Sequence, residues 1–252
     1  MLCEVGGSYN KGKGVCLNMK IEIWSDYVCP FCYIGKRQLE KAIQDTGFAD
    51  QVELVYKSYQ LDPNTPTDST KTMHEALAGK YGMSIEKAKE MTQGVVERAK
   101  EVGLDYNFDD TMVENTLKAH RLVKWAEQQG DAAQLVEALL HSYFIEAKRI
   151  GQDDVLLAIA EQLGFNREEA VKVLASHIFA DAVQADIQEG TQLGVRGVPF
   201  FVINQKYGIS GAQQQEVFEN TLRQVAEEEG LMPGLKMKGA TTSYCTDDHC
   251  EF

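Results

Sequence analysis

The feature that most constrains this chain is an interruption: a strand–helix–strand pattern opens it, helical patterns follow, and a strand–strand–helix pattern closes it. Residues 20–24, KIEIW, alternate in polarity as a short strand does, and IGKRQLEKAIQDTG carries apolar residues at helical spacing until Gly47 stops it. VELVYKSYQL is a second strand candidate, ended by the turn-rich DPNTPTDST. Two strands joined by a helix over so short a span predict a βαβ unit with a parallel sheet. From about Lys71 to Leu193 the spacing predicts helix after helix, from TMHEALAGKYG through DAAQLVEALLHSYFIEAKRIG to FADAVQADIQEGTQLG. Nearly all of these end in Gly, and several begin with Ser, Asp or Asn, the residues that cap helix ends. GVRGVPFFVINQKYGISG then reads as two strands with a turn at Asn204 to Lys206, before the helix AQQQEVFENTLRQVAEEEG. An all-helical block, residues 62–193, is thus expected inside an α/β unit built from residues 19–61 and 194–230.

Neither end follows this pattern. MLCEVGGSYNKGKGVCLN has four Gly and two Cys without periodicity, so it fits no element. Residues 1–18 read as a non-native or disordered extension, with the first ordered strand opening at Met19. After Gly230, LMPGLKMKGATTSYCTDDHCEF has Pro and Gly but no sustained period, so residues 231–252 read as a flexible tail holding Cys245 and Cys250.

The chemistry sits where the first strand gives way to the first helix, at SDYVCPFCYIG. A cysteine at a helix mouth has unpaired backbone N–H groups and the positive end of the helix dipole beside it, which favour the thiolate. Pro30 at the first helical position gives up a donor that would have had no partner. Cys29 is therefore the expected nucleophile. Cys32, one turn further in and more deeply buried, is the expected resolving thiol. Two other readings stay open: inert packing, or a zinc-binding module in which Cys245 and Cys250 supply the two further ligands. His74, His120, His141 and His177 lie in helical stretches without partner spacing and are expected at the surface or as satisfied residues.

Charge and composition exclude some partners. With 25 Lys and Arg against 38 Asp and Glu among 252 residues, the formal charge is −13, and no basic patch is available to neutralise phosphates. Neither nucleic acid nor an anionic membrane surface is an expected partner. No apolar run approaches the roughly 18 residues that span a bilayer, and residues 1–18 lack a secretory pattern, so a cytoplasmic location is expected. Six cysteines in such a chain suggest reactivity or metal binding over a disulfide framework.

Together, SDYVCPFCYIG, the long helical insertion, GVRGVPFFV and YGISGAQ resemble the thioredoxin superfamily, and more closely the DsbA-like thiol–disulfide oxidoreductases of the FrnE type, over about residues 19–230. The resemblance implies an α/β, thioredoxin-like fold with a large all-helical insertion between the βαβ and ββα halves. It also implies a cis proline at Pro199 facing the cysteines, and a Val198 main chain that pairs with a substrate strand. The activity implied is protein-disulfide oxidoreductase or isomerase without a cofactor, exchanging with protein or peptide thiols or with glutathione. In thioredoxin-like proteins a buried carboxylate often stands six residues before the first cysteine, where this chain has Ile23. Asp26 is the nearest acidic substitute, serving either proton transfer or helix capping. Trp24, Phe31, Tyr33 and Phe200 are candidates for an apolar rim or for the core, and Cys245 with Cys250 for an auxiliary dithiol. The same branch includes glutathione-dependent isomerases of the hydroxychromene-carboxylate type and kappa-class transferases. Those usually carry serine where this chain has Cys29, so cysteine at both positions favours dithiol exchange.

Overall fold

The computed structural model describes residues 19–130 and 132–234 in full, and the backbone alone of residues 8–10, 15–17, 245–246 and 249–250. Four strands form the main sheet: β1 (Met19–Ser25), β2 (Val52–Ser58), β3 (Phe200–Ile203) and β4 (Tyr207–Ser210). Their order is β2-β1-β3-β4. β1 and β2 are parallel, with Met19 opposite Val52 and Ser25 opposite Ser58. A parallel pair needs a crossover, and α1 (Pro30–Thr46) supplies it, ending at Gly47 with φ 81°. β3 runs antiparallel to β1, with Trp24 opposite Phe200, and β4 returns antiparallel to β3. Asn204 and Gln205 have φ of 48° and 56°, as a tight hairpin requires, and Lys206 N–H donates to Ile203 O at 3.0 Å.

Between β2 and β3 lie α2 (Met73–Tyr81), α3 (Ile85–Glu101), α4 (Leu117–Gln129), α5 (Ala132–Phe144), α6 (Asp153–Gln162), α7 (Arg167–Ala175) and α8 (Ala180–Gln192). The closing helix α9 (Gln215–Glu229) packs beside α1. Side chains of Thr72, Ser84 and Asn166 cap α2, α3 and α7 by accepting backbone N–H groups of the first turn.

The sheet is covered on both faces. Ile21, Ile23 and Phe201 join the main core with α1 and α9, where Phe201 meets Phe218 edge-on with ring centroids 4.9 Å apart. On the other face Trp24 and Val202 pack with Val195, Tyr59, Val198 and Phe200. The alternation in KIEIW is therefore not a water-facing one. Glu22 is buried, held by Lys20 at 2.8 Å and with Lys57 3.9 Å away. Trp24 Nε1 donates to Asp186 O on α8 at 2.8 Å, and α8 comes this close because residue 190 is glycine: a Cβ there would lie 2.6 Å from Trp24 Nε1.

Three local expectations are corrected. The helix read through Gly151 ends at Phe144, because the chain turns back at Ala147 (φ 52°) and Lys148 N–H donates to Ser142 O at 2.7 Å. Residues 231–234 are no mobile start to the tail: Gly234 N–H donates to Gly47 O at 2.7 Å, and Gln51 Nε2 to Met232 O at 2.7 Å. Within residues 1–18, where no element was expected, the backbone of Ser8–Asn10 pairs antiparallel with that of Val15–Leu17. The rest of that extension and the side chains of the tail, Cys245 and Cys250 included, lie outside the described residues. Among the described residues, no helix is long and apolar enough to cross a membrane.

Candidate active site

The Asp26–Cys29 turn delivers the chain from β1 into α1: Cys29 N–H donates to Asp26 O at 3.0 Å, and Cys32 N–H to Cys29 O at 3.0 Å. Cys29 is the N-cap of α1 and Pro30 its first residue, and no side chain caps this end. The sulfur at position 29 thus stands where the helix leaves its N–H groups unpaired. Both cysteines are free thiols. The Cys29 thiol donates to Val198 O at 3.4 Å, and the Val198–Pro199 peptide is cis. α1 sits close to this strand at Gly35, where a Cβ would be 3.1 Å from Pro199 Cγ and from Phe201 Cζ.

The expected difference in depth between the two thiols is absent, since Cys29 is 4% and Cys32 3% exposed. What differs is the surroundings of Cys32. Burial, then the hydrogen bond and charge of Cys29, push its thiol well above the ordinary range, against the opposing hydrogen bonds of the Ser25 side chain and the Asp26 main chain.

Asp26 does not cap α1, which corrects that alternative. Its Oδ2 accepts the Leu61 N–H at 2.8 Å, and its Oδ1 faces His120 Nε2 at 3.4 Å. The His120 ring lies 4.6 Å from that of Tyr27, centroid to centroid. Of the four histidines expected in helices, His74 is buried against Thr92 Oγ1 at 2.9 Å, while His141 is exposed on α5 and His177 is exposed in the turn between α7 and α8, not in a helix. His120 alone of the four is brought to the thiol turn, and nothing in its local sequence marks it.

The aromatic candidates divide. Trp24 and Tyr33 are core residues, with the Tyr33 hydroxyl donating to Glu137 at 2.6 Å. Phe31 is half-buried under the Arg98 guanidinium, 5.3 Å from its ring centroid, and Arg98 donates to Ala212 O at 3.1 Å. Phe200, Val198 and Tyr59 are half-buried and pack against Trp24, Val195 and Val202; of the three, Val198 meets Cys29, through its carbonyl. Tyr59 was not anticipated, nor was Tyr106 from the insertion. The Tyr106 hydroxyl donates to Pro30 O at 2.7 Å, and burial, followed by the nearby Cys29, drives its phenol upward.

A cleft of about 680 Å³ opens elsewhere, between α1, β2, α5 and α6. Neither cysteine lines it, and its central charges are mutually paired: Lys36 and Arg37 each bridge Glu40 and Glu137. The zinc alternative would need Cys245 and Cys250, which fall outside the described residues. Among the described residues no three His, Cys, Asp or Glu side chains gather as a metal site.

Comparison with known proteins agrees with this architecture. A probable DsbA oxidoreductase, SCO1869 from Streptomyces coelicolor, is 36% identical, with 93% of this chain and 99% of that one covered and a TM-score of 0.80. A 2-hydroxychromene-2-carboxylate isomerase is 16% identical (84% and 98% covered, TM-score 0.63), and the cytosolic disulfide reductase DsbM from Pseudomonas aeruginosa, in its structure with GSH, 16% identical (82% and 99% covered, TM-score 0.59). These two share the fold. The DSBA-like thioredoxin domain matches residues 20–223, and with most of its length accounted for in this way the chain belongs to that family.

Proposed function

We propose that this protein is a cytosolic thiol–disulfide oxidoreductase or isomerase that works through the Cys29–Cys32 dithiol. The observation that carries the reading is the pair of free thiols at the mouth of α1, with Cys29 against the Val198 carbonyl at 3.4 Å. The Cys29 thiolate attacks a substrate disulfide, giving a mixed disulfide and releasing one substrate thiolate. Cys32 then attacks the Cys29 sulfur, frees the second substrate thiol and leaves the Cys29–Cys32 disulfide. Run backwards, the same steps oxidise a substrate dithiol. Val198 and Pro199 position the substrate strand, with Phe31, Tyr59 and Phe200 as its apolar border. Partners are protein or peptide thiols and disulfides, with glutathione a further candidate. No cofactor takes part, and neither nucleic acid nor a membrane is a partner. Cys245 and Cys250 serve as an auxiliary dithiol that exchanges with Cys29 and Cys32.

The test is turnover of a protein disulfide with glutathione as reductant, set against glutathione conjugation of a small hydrophobic acceptor. The proposal expects the first activity, and a covalent adduct on Cys29 in Cys32→Ser. Conjugation without disulfide turnover would instead make this a glutathione-dependent isomerase or transferase. Stoichiometric zinc in the reduced protein would make it a metal-binding module. Ending the chain after Gly234 should keep single-turnover exchange and slow repeated turnover. Unchanged repeated turnover would leave the tail dithiol without a part.

A further inference from the structure

The chain has seven arginines and 38 Asp and Glu, yet two of the arginines form no ion pair among the described residues. Arg37 holds Glu40 and Glu137, Arg149 holds Glu114, Arg167 holds Glu161 and Arg223 holds Glu219. Arg121 is buried and donates to main-chain carbonyls around the end of α7, at Val173, Ser176 and Ile178. Arg98 and Arg196 are the two left, and both are exposed. Both also adjoin the dithiol, Arg98 from α3 of the insertion and Arg196 from the stretch ahead of β3.

Arg98 is fixed against the thiol turn. Its guanidinium lies 5.3 Å from the ring centroid of Phe31, the residue between Pro30 and Cys32, and donates to Ala212 O at 3.1 Å. Ala212 belongs to the same corner as the cis proline: Gly211 N–H donates to Pro199 O at 2.8 Å, and a Cβ on Gly35 would meet Pro199 Cγ at 3.1 Å and Ala212 Cα at 3.5 Å. Most of the guanidinium N–H donors remain for a ligand. Glu97 and Glu101 share α3 with Arg98, but neither forms an ion pair with it. Arg196 stands two residues before Val198, whose carbonyl takes the Cys29 thiol at 3.4 Å, and two residues span at most about 7 Å. Its neighbour Val195 is buried with Trp24 and Val202, which ties this stretch to the sheet.

We propose that Arg98 and Arg196 determine specificity in the exchange reaction: they select disulfides that carry carboxylates close to the sulfur. An arginine already paired within the protein has little left for a substrate. One held in place without a carboxylate offers a planar fork that takes one in bidentate fashion. With a formal charge of −13, the molecule as a whole repels such substrates, so these two cations draw them to the thiols and not to other surfaces. The arginines act on the attack by Cys29, the step in which the substrate is first held. The ligand chemistry is a carboxylate beside a disulfide, found both in glutathione disulfide and in acidic protein segments. This inference rests on the dithiol reading above.

Two disulfide-linked peptides, identical except for Glu or Gln on either side of the cysteine, test this with the reduced full-length protein. Release of peptide thiol is timed by acid quench, and each rate is divided by that with dithiothreitol. The Glu peptide should react about tenfold faster at low salt. The advantage should shrink as ionic strength rises from about 0.01 M to about 1 M, because the screening length falls from roughly 30 Å to roughly 3 Å. The Glu-to-Gln ratio should fall several-fold in Arg98→Gln and in Arg196→Gln and approach one in the double variant, while Arg98→Lys should keep part of it. A fault in the fold would slow both peptides alike, so an unchanged ratio in the double variant overturns the proposal. If the variants do not fold, the wild-type protein decides, and equal rates for the two peptides overturn it. Glutathione disulfide set against its esterified form identifies the source: a ratio above that of the peptides assigns the site to glutathione, and one below it to acidic protein segments. Exchange without any carboxylate preference overturns this inference alone. No exchange with any of these disulfides overturns the dithiol reading, and this inference with it.

Discussion

Lys124 and Asp186 meet at 2.7 Å beyond the free edge of β2, and each also takes a main-chain group of that edge. Lys124 Nζ donates to Tyr56 O at 3.1 Å, and Asp186 Oδ2 accepts Ser58 N–H at 2.9 Å. An open strand edge is a template for pairing with other chains. Here a salt bridge contributed by α4 and α8 of the insertion closes it at its active-site end.

Removing one partner strands the other in a buried position. Lys124→Met should cost about 3 kcal/mol or more in urea unfolding, with Lys57, 3.4 Å from Asp186, offsetting part of the loss. Adding Asp186→Asn should cost less than the sum of the two single changes. Additive losses would mean that the two residues act independently.

The raised thiol of Cys32 makes stability depend on pH in the reduced protein. Unfolding returns it to an ordinary thiol, ionising near about 8.5, whereas the folded thiol keeps its proton to higher pH. Above the unfolded value the native state binds more protons than the unfolded state, so stability falls as pH rises. Its contribution is fully present below that value and is lost on the way up to the folded one. Unfolding between neutral and alkaline pH should show this fall in reduced wild type and a smaller one in Cys32→Ala. Parallel curves would contradict it.

Alkylation should distinguish the thiols despite their equal burial. Cys29 should be labelled first at neutral pH, since reaction runs through the thiolate and Cys32 holds its proton. Tyr106→Phe removes the bond to Pro30 O and should cost about 1 kcal/mol while raising the Cys29 labelling rate. Peptide mapping after brief exposure to iodoacetamide reads both, and equal labelling of Cys29 and Cys32 would count against the assignment.

Gly190→Ala places a methyl group against the Trp24 indole. It should destabilise by about 1–3 kcal/mol and shift the tryptophan emission, because α8 must move off Trp24 and the bond to Asp186 O lengthens. A variant with wild-type stability and emission would show that the helix yields freely there.

The parts of this molecule legible in the chain are those encoded locally. Apolar spacing and caps marked the elements, and the cysteines at a strand-to-helix junction marked the thiol turn. Pro199 was legible only through the resemblance carried by GVRGVPFFV. The overrun of α5 has a local cause too: Ile145 and Ile150 continue an apolar pattern, while the turn at Ala147 is held by contacts such as Arg149 with Glu114, which a window of sequence does not contain. His120, Tyr59 and Tyr106 were missed for a related reason. Each reaches the site through tertiary packing from a different segment, and none carries a spacing that points there. Asp26 was noticed but misassigned in part, since its acceptor role toward Leu61 depends on a loop thirty-five positions away.

The position of the insertion also orders events during synthesis. β1 lies between β2 and β3, so the strand leading to the thiols emerges early, yet its second neighbour follows only after the whole helical block. Until then the β1 side that will face Phe200–Ile203 has no partner, and Cys29 lacks the Val198 carbonyl beside it. Nascent chains halted before residue 200 should therefore present an unpaired edge and an uncovered thiol together, the form of this protein most exposed to aggregation and stray oxidation.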